Sequence, residues 1–538
     1  MSIAAGSLAP FLAGILSHTA YFVHGEHHLY AVRYLSVFIL VFSALTLWIY
    51  SHGQSLKLSL NQATGIGLEY FLGLYSSLVL YRIFFHRLNR FPGPFAARIS
   101  GLWLSWRFRR RDGCFQLQKL HDRYGPIVRI GPAHLSISHP SAVEIVHGHA
   151  SPCSKGPFYD STKPMESLQA YRDKSLHSER RRVWSAAFSD RALRGYEQRL
   201  HKYRRQLLEH IKSLDGRPMN VCKWFTSYGF DFMGDLAFGK SFRMVESGEE
   251  HWAVKLIGDG MAILGYGLPE WLFIFLASIP GLAKGWFAMI DFAASQMEQR
   301  LKANIDIPDI ISALAAPLKG QWPAECQMRV LRGDSQLIVA AGGDTTAVTL
   351  AALCYELLQH PEHVDKLRQE LEPYVIDPNE EILNSQIMHL DHLNAVINET
   401  LRLHPPVPTF LQRQTPPQGI TVEGVHIPGE TLVWCSQYVV GRNEAAYTKP
   451  DQFVPERWYL HPVMVKDKTA FAPFSTGPYG CIGKPLAMII LRTTIARLVT
   501  LFDMYFAPDE DGSGFLGNRK DCFLLSFGDL MISFRQRV

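Results

Sequence analysis

The sequence predicts a mainly α-helical protein with small β-sheets, preceded by an apolar N-terminal region. Three observations predict it. Met328 to His360 holds a long helical pattern until Pro361 closes it. Strand-like pieces are few and short: Phe410–Gln414, Ile420–Val422 and Thr431–Cys435 suit only a small sheet. The 538 residues are 47% hydrophobic, enough for one large core plus a tail.

The tail comes first. Tyr34 to Tyr50 carries no charge and is rich in Leu, Ile, Val and Phe, near the lower length limit for a membrane span. A second uncharged run, Tyr70 to Tyr81, reaches Phe85 if Arg82 extends to the interface. Leu8 to Val23 is a third, weaker run. One to three spans are expected within residues 1–90. The cations that follow, from Arg82 through Arg90 and Arg98 to Arg111, place the next segment on the cytoplasmic side. A cleaved signal peptide is disfavoured by the uncharged start. Phe91-Pro92-Gly93-Pro94 stiffens a linker, and the globular part, residues 91–538, begins there.

Cys114 to Tyr124 reads as an amphipathic helix. Ile127–Ile130 and His134–Ile137 flank Gly131-Pro132 as a hairpin, and Ser141–His147 as a helix. Ser154 to Ser175 lacks periodicity and reads as a loop over a pocket. Leu176 to Phe188 holds Arg180, Arg181 and Arg182, a run that is equally well a solvated helix face. Asp190–Glu209 and Val221–Phe238 follow as helices. Trp271–Phe287 is apolar and broken by Pro280-Gly281. The C-terminal pieces around Gly528 read as a hairpin.

The net charge of +5 is mild and gives no case for nucleic acid. The 8 Cys show no paired spacing, so no disulfide framework is expected and a reducing, cytosol-facing setting fits.

Three stretches carry chemistry. The first is Phe474-Ser-Thr-Gly477-Pro-Tyr479-Gly480-Cys481-Ile-Gly483-Lys-Pro485. It sets one Cys in a Gly/Pro loop directly before a helix, where free N–H groups favour a thiolate. Such a thiolate is a nucleophile or a metal ligand. No second Cys or His is close enough in sequence for a zinc cluster, so a lone thiolate donor suggests haem iron. The second is Ala340-Ala-Gly342-Gly343-Asp344-Thr345-Thr346, at the middle of the long helix. Two Gly there cost about 1 kcal/mol each, and Asp and Thr compete for backbone hydrogen bonds. Gly342 and Gly343 would let a flat group approach the backbone, and Asp344 and Thr345 offer an acid and a hydroxyl. The third pairs Glu399-x-x-Arg402, on an apolar helix, with Arg457 of Pro455-Glu456-Arg457-Trp458.

Taken in order, these stretches resemble the cytochrome P-450 family over residues 91–538. Phe474, Gly477, Cys481 and Gly483 match its cysteine loop, although Tyr479 stands where the family usually has Arg. The resemblance implies the cytochrome P-450 fold and haem b with Cys481 as axial thiolate and iron ligand. It implies haem contacts from Phe474 and Gly483. Arg181 and Arg413 fall where the family contacts the haem propionates, and His177 replaces an aromatic of that set. Glu399, Arg402 and Arg457 match a buried structural triad. Asp344 and Thr345 match the family's catalytic acid–alcohol pair.

A monooxygenase would insert one oxygen atom from O2 into a lipophilic small molecule. Its electrons would come from an NADPH-dependent cytochrome P-450 reductase, since the chain has no flavin or nicotinamide motif. Candidate pocket residues are Phe158, Tyr159, Ala341, Val407 and Thr409. The anchor and the Tyr479 variant resemble fungal members of secondary metabolism, held on the endoplasmic reticulum membrane with the catalytic part in the cytosol. The alternatives are a haem-thiolate isomerase or dehydratase, against which Asp344-Thr345 argues, and a non-catalytic haem-binding sensor.

Overall fold

The computed structural model describes residues 8–303, 307–318, 323–374, 380–409 and 411–537. Phe410, the first residue of one expected strand, lies outside them. The chain forms two compact units. One holds Met1–Trp106, Val128–Leu135 and Leu268–Ala283, and the other holds the rest. This division departs from a boundary at residue 91, because two later segments join the N-terminal unit.

In the N-terminal unit, Leu8–Ser17, Ala31–Ser51 and Leu56–Leu80 are helices, and the last continues as a wider turn over Tyr81–Phe85. The helical stretches His28–Ser51 and Leu56–Phe85 are long and apolar enough to cross a membrane, and Leu8–Phe22 is shorter. The second is longer than hydropathy alone indicates, since Lys57, Asn61 and Glu69 interrupt its apolar run. Ser55 caps its start by accepting from the Leu58 N–H. Helices Leu8–Ser17 and Leu56–Leu80 meet at two glycines. A Cβ on Gly73 would sit 2.0 Å from the Phe11 carbonyl oxygen, and one on Gly14 2.1 Å from that of Tyr70. Such contacts are how apolar helices pack in lipid, where burial alone gives no drive.

The Pro-Gly-Pro linker is pinned within this unit. The Arg129 N–H donates to the Pro92 carbonyl at 2.7 Å, and Gly93 adopts φ +155 with room for no Cβ beside Arg129. Arg129 itself donates to Asn89 and to the Pro132 carbonyl.

The second unit is built on long helices: Asp190–Ser213, Val221–Phe238, Ala324–Gly342, Asp344–Gln359, Asp391–Leu403 and Lys484–Leu501. Their apolar faces form one continuous core. Ala324–Gln359 is also long and apolar enough to span a membrane, but it is largely buried inside this unit.

The sheets are small. Ser154–Lys155, Arg413–Gln414 and Leu432–Trp434 pair antiparallel. The expected C-terminal hairpin does not form. Leu524–Ser526 pairs with Lys520–Cys522, and Met531–Gln536 pairs with Phe502–Phe506 and Met219–Asn220. The tight turn is taken by Phe523 at φ 70, while Gly528 is pressed against the Gly514 carbonyl, so the two strands part.

Candidate active site

Within the second unit a cavity of about 350 Å³ is lined by Cys481, Thr345, His177, Arg181, Arg413 and Phe158, among others. The cysteine comes from a loop that folds back on itself. The Cys481 N–H donates to the Phe474 carbonyl at 2.8 Å, and the Gly480 N–H to that of Gly477 at 3.0 Å. Gly477 needs φ +68, and a Cβ there would lie 2.3 Å from the His147 carbonyl oxygen. Behind the loop, Lys484–Leu501 begins with Pro485 in its first turn, as the sequence requires. Cys481 is exposed, its surface facing the cavity. Dense surrounding protein pushes its thiol pKa up. The N–H groups of Gly483 and Lys484 and the charges of Arg181 and Lys484 pull against that.

Beside the cysteine lies an unbalanced cluster of positive charge. Arg413 is 1% exposed, Lys155 3%, and Arg181 is half-buried. Among the described residues none of the three pairs with a carboxylate. Arg181 donates to the Gly480 carbonyl at 2.7 Å, Arg413 to the Tyr159 hydroxyl at 3.0 Å, and Lys155 to the carbonyls of Leu168 and Gln169. Burial, then Arg413 and Arg181, hold the Lys155 pKa far below its usual value. Burial and the same cations hold His177 at about 3. The Nε of Arg413, the hydroxyls of Tyr479 and Ser475 and the Nδ1 of His147 are buried without a partner, and all four residues line this cavity.

Tyr479 takes its place inside this cluster. Lys155 Nζ and the Arg413 guanidinium each lie 4.8 Å from its ring centroid, and the His177 ring meets it edge-on at 4.6 Å. The aromatic ring offers both cations a negative face where a third guanidinium would repel them. Lys155 escaped the sequence reading. Its signal was weak: one Lys in an aperiodic loop.

Across the cavity the long helix is interrupted. Ala324–Gly342 ends and Asp344–Gln359 begins one residue later, with Gly343 still near helical dihedrals. Thr345 lines the cavity, and its hydroxyl donates back to the Ala341 carbonyl at 3.0 Å. Ala341 and Gly342 also line it. Gly343 does not. Instead it lets helix Val221–Phe238 approach, since a Cβ on Gly229 would lie 3.0 Å from the Gly343 oxygen. The second glycine therefore serves helix packing rather than access of a flat group. Asp344 lies outside the cavity lining. It keeps an intermediate exposure but is densely surrounded, and burial pushes its carboxyl up to about 6.

Phe158 stacks on Phe523 at the cavity wall, their centroids 5.6 Å apart, and Val407 lies nearby in the lining. Tyr159 lines the cavity too, but its hydroxyl is committed to Arg413. Thr409 does not line it. That side chain is buried and donates to Asp521.

The cationic run 180–182 divides three ways. Arg180 is buried on Asp334 with Trp184, Arg181 faces the cavity and Arg182 is exposed. The triad assembles: Glu399 receives Arg402 at 2.9 and 2.7 Å and Arg457 at 2.9 Å, with the Val454 and Trp458 N–H groups completing its shell. All three side chains are essentially buried.

A cavity that places one thiol beside unpaired cations suits a flat iron chelate carrying two carboxylates. The sequence pattern of one family agrees, matching residues 92–520. The chain belongs to the cytochrome P-450 family. It is 48% identical over 98% of its length to a cytochrome P-450 monooxygenase, notG', of Aspergillus versicolor, covering 97% of that protein. It is 45% identical to the tryprostatin B 6-hydroxylase of Aspergillus fumigatus, over 98% of this chain and 95% of that one. The heme domain of cytochrome P450DA shares the fold, with a TM-score of 0.67 at 18% identity over 80% of this chain and 94% of that one.

As a cytochrome P-450 monooxygenase the protein is an oxidoreductase that binds haem through a cysteine thiolate. The residues present fit that group. Cys481 would supply the thiolate, and the orphaned donors of Arg413 and Tyr479, with Lys155 and Arg181, would suit its two propionates. When bound, the haem supplies the activation of O2. The chain's own residues would hold its charge, and they keep a hydroxyl, that of Thr345, on the cavity wall.

Proposed function

We propose that this cytochrome P-450 hydroxylates a lipophilic, aromatic small molecule of secondary metabolism, drawing electrons from a membrane-bound, NADPH-dependent flavoprotein reductase. The observation that carries the reading is the placement of Cys481 and Thr345 on one cavity that is largely apolar. The Phe158–Phe523 stack, Phe188, Met233, Met261 and Trp286 also line it. They offer flat surfaces and polarizable sulfur to a ring system. The relatives' names point the same way: tryprostatin B 6-hydroxylases of two fungi are 45% and 44% identical to this chain. A substrate of the tryprostatin B kind is the class we favour.

In this reading Cys481 is the iron ligand, and Arg181, Arg413, His177 and Lys155 hold the propionate end. Phe474 and Gly483 pack beside the thiolate. Thr345 would offer its hydroxyl for hydrogen bonding at the cavity, and Asp344 would exchange protons with solvent. Glu399, Arg402 and Arg457 brace the cysteine side. Residues 1–90 anchor the protein in the endoplasmic reticulum membrane, with the catalytic part, 91–538, in the cytosol.

The test is reconstitution of the full-length protein with a fungal reductase, NADPH, tryprostatin B and a panel of non-aromatic terpenoids. The expected product is one oxygen heavier, formed from tryprostatin B and dependent on NADPH. Oxygenation of the terpenoids alone would overturn the substrate class, and product without NADPH would overturn the electron route. In parallel, Cys481→Ala should lose the red-shifted Soret band of the ferrous–CO complex. A mutant that keeps the band would remove Cys481 as ligand.

A further inference from the structure

Away from the cavity, three elements of the second unit bring two histidines and a carboxylate together. His363 stands on helix Pro361–Leu371, His392 at the start of helix Asp391–Leu403, and Glu456 in the short turn Pro455–Trp458. Both histidines are 4% exposed. One potential ligand atom from each residue lies within 4.8 Å of the other two. His363 Nδ1 and a Glu456 carboxylate oxygen are 3.6 Å apart, and the two imidazole centroids 5.2 Å. Ligands of a tetrahedral zinc ion with bonds of about 2.0–2.1 Å stand about 3.4 Å apart. Small rotations of the two rings would close the set.

The ring nitrogens settle which atoms are free. His363 Nδ1 and His392 Nε2 are buried without a hydrogen-bond partner. The other His392 nitrogen, Nδ1, bonds the Tyr459 hydroxyl at 3.1 Å. When Nδ1 donates to that hydroxyl, the Nε2 lone pair is free, the arrangement seen in histidines that ligate metals. Two buried, unpaired ring nitrogens are costly to leave empty. Lys366 bonds the Glu456 carboxylate at 2.5 Å and is 45% exposed, so a metal ion can displace it into water.

We propose that His363, His392 and Glu456 form a structural binding site for a divalent transition-metal ion, zinc being the best match to two imidazoles and a carboxylate. Water fills the fourth position. The ion would tie helix Pro361–Leu371 to the two elements that the Glu399 triad already joins, since Arg457 follows Glu456 directly. The site stands apart from the haem cavity, whose lining includes none of the three residues.

The experiment uses the full-length, haem-loaded protein in detergent. It is stripped with EDTA, given zinc chloride, dialysed against a weak chelator and assayed for metal. A variant lacking His24, His27 and His28 serves as the reference, because that N-terminal histidine cluster could hold zinc by itself. One retained zinc per chain is expected in the reference, with imidazole scattering at the zinc absorption edge and a raised melting temperature. His392→Ala and Glu456→Gln should each weaken zinc binding at least tenfold while keeping the ferrous–CO band. No retained zinc in the reference would overturn the site, as would unchanged binding in both variants. If His392→Ala fails to fold, Glu456→Gln and the metal content of the reference decide the matter.

Discussion

Tyr479 explains itself once its neighbours are known. Lys155 and Arg413 both sit over its ring, and its hydroxyl has no partner. Tyr479→Phe should therefore leave the melting temperature almost unchanged. Tyr479→Arg removes the shared ring and adds a cation to a buried cluster, at an expected cost of roughly 2 kcal/mol. Adding Lys155→Met should recover most of that loss. A double-mutant cycle by thermal melting of the haem-free protein reads the coupling, and additive effects would refute it.

Asp344 gives a pH signature. Burial raises its folded pKa to about 6, above the unfolded carboxyl value, so in the window between them the folded state binds the extra proton. Its contribution to stability is thus greatest at low pH and falls as pH rises through 6. Asp344→Asn should remove that slope. Denaturant midpoints at pH 4.5 and 7.5 should converge relative to wild type, with the mutant gaining at pH 7.5.

At the scale of elements, two glycines adjacent in space have unequal tasks. A Cβ on Gly229 would meet the fixed backbone oxygen of Gly343 at 3.0 Å. One on Gly342 would meet the mobile end of Met233. Gly229→Val should cost roughly 1–3 kcal/mol of stability, and Gly342→Ala under about 1 kcal/mol, since the Met233 methyl can turn away and Ala favours helix. Chemical denaturation with haem retention as readout separates them. Equal costs would mean that helix Val221–Phe238 does not depend on the close crossing.

At the scale of the molecule, the N-terminal unit includes more than the two long apolar helices. Helix Glu270–Ala277 and the residues after it belong to it and expose Trp271, Ile279 and Leu282. Deleting residues 1–85 should leave a protein that still sediments with phospholipid vesicles. Trp271→Ser with Leu282→Ser in that background should release it. A soluble truncation without those changes would confine membrane attachment to the N-terminal helices.

Much of the candidate site was legible by position. Cys481, Thr345 and the Glu399-x-x-Arg402 pair declare themselves because their local settings are costly without a purpose: a thiol at a helix start, Gly-Asp-Thr inside a helix, two charges on an apolar face. Helix limits followed from capping and proline, which act locally. Lys155, the role of Tyr479, the packing task of Gly343 and the pairing of the C-terminal strands were not legible. Each depends on partners far away in sequence, and neither charge nor periodicity encodes distance through space. By itself the sequence determined the helical class, the cysteine loop and the order of its motifs, because these rest on local backbone preference and apolar period. Only the tertiary structure decided which buried cations share one cavity, and which histidines meet a carboxylate, because burial and pairing arise when the helices close on one another.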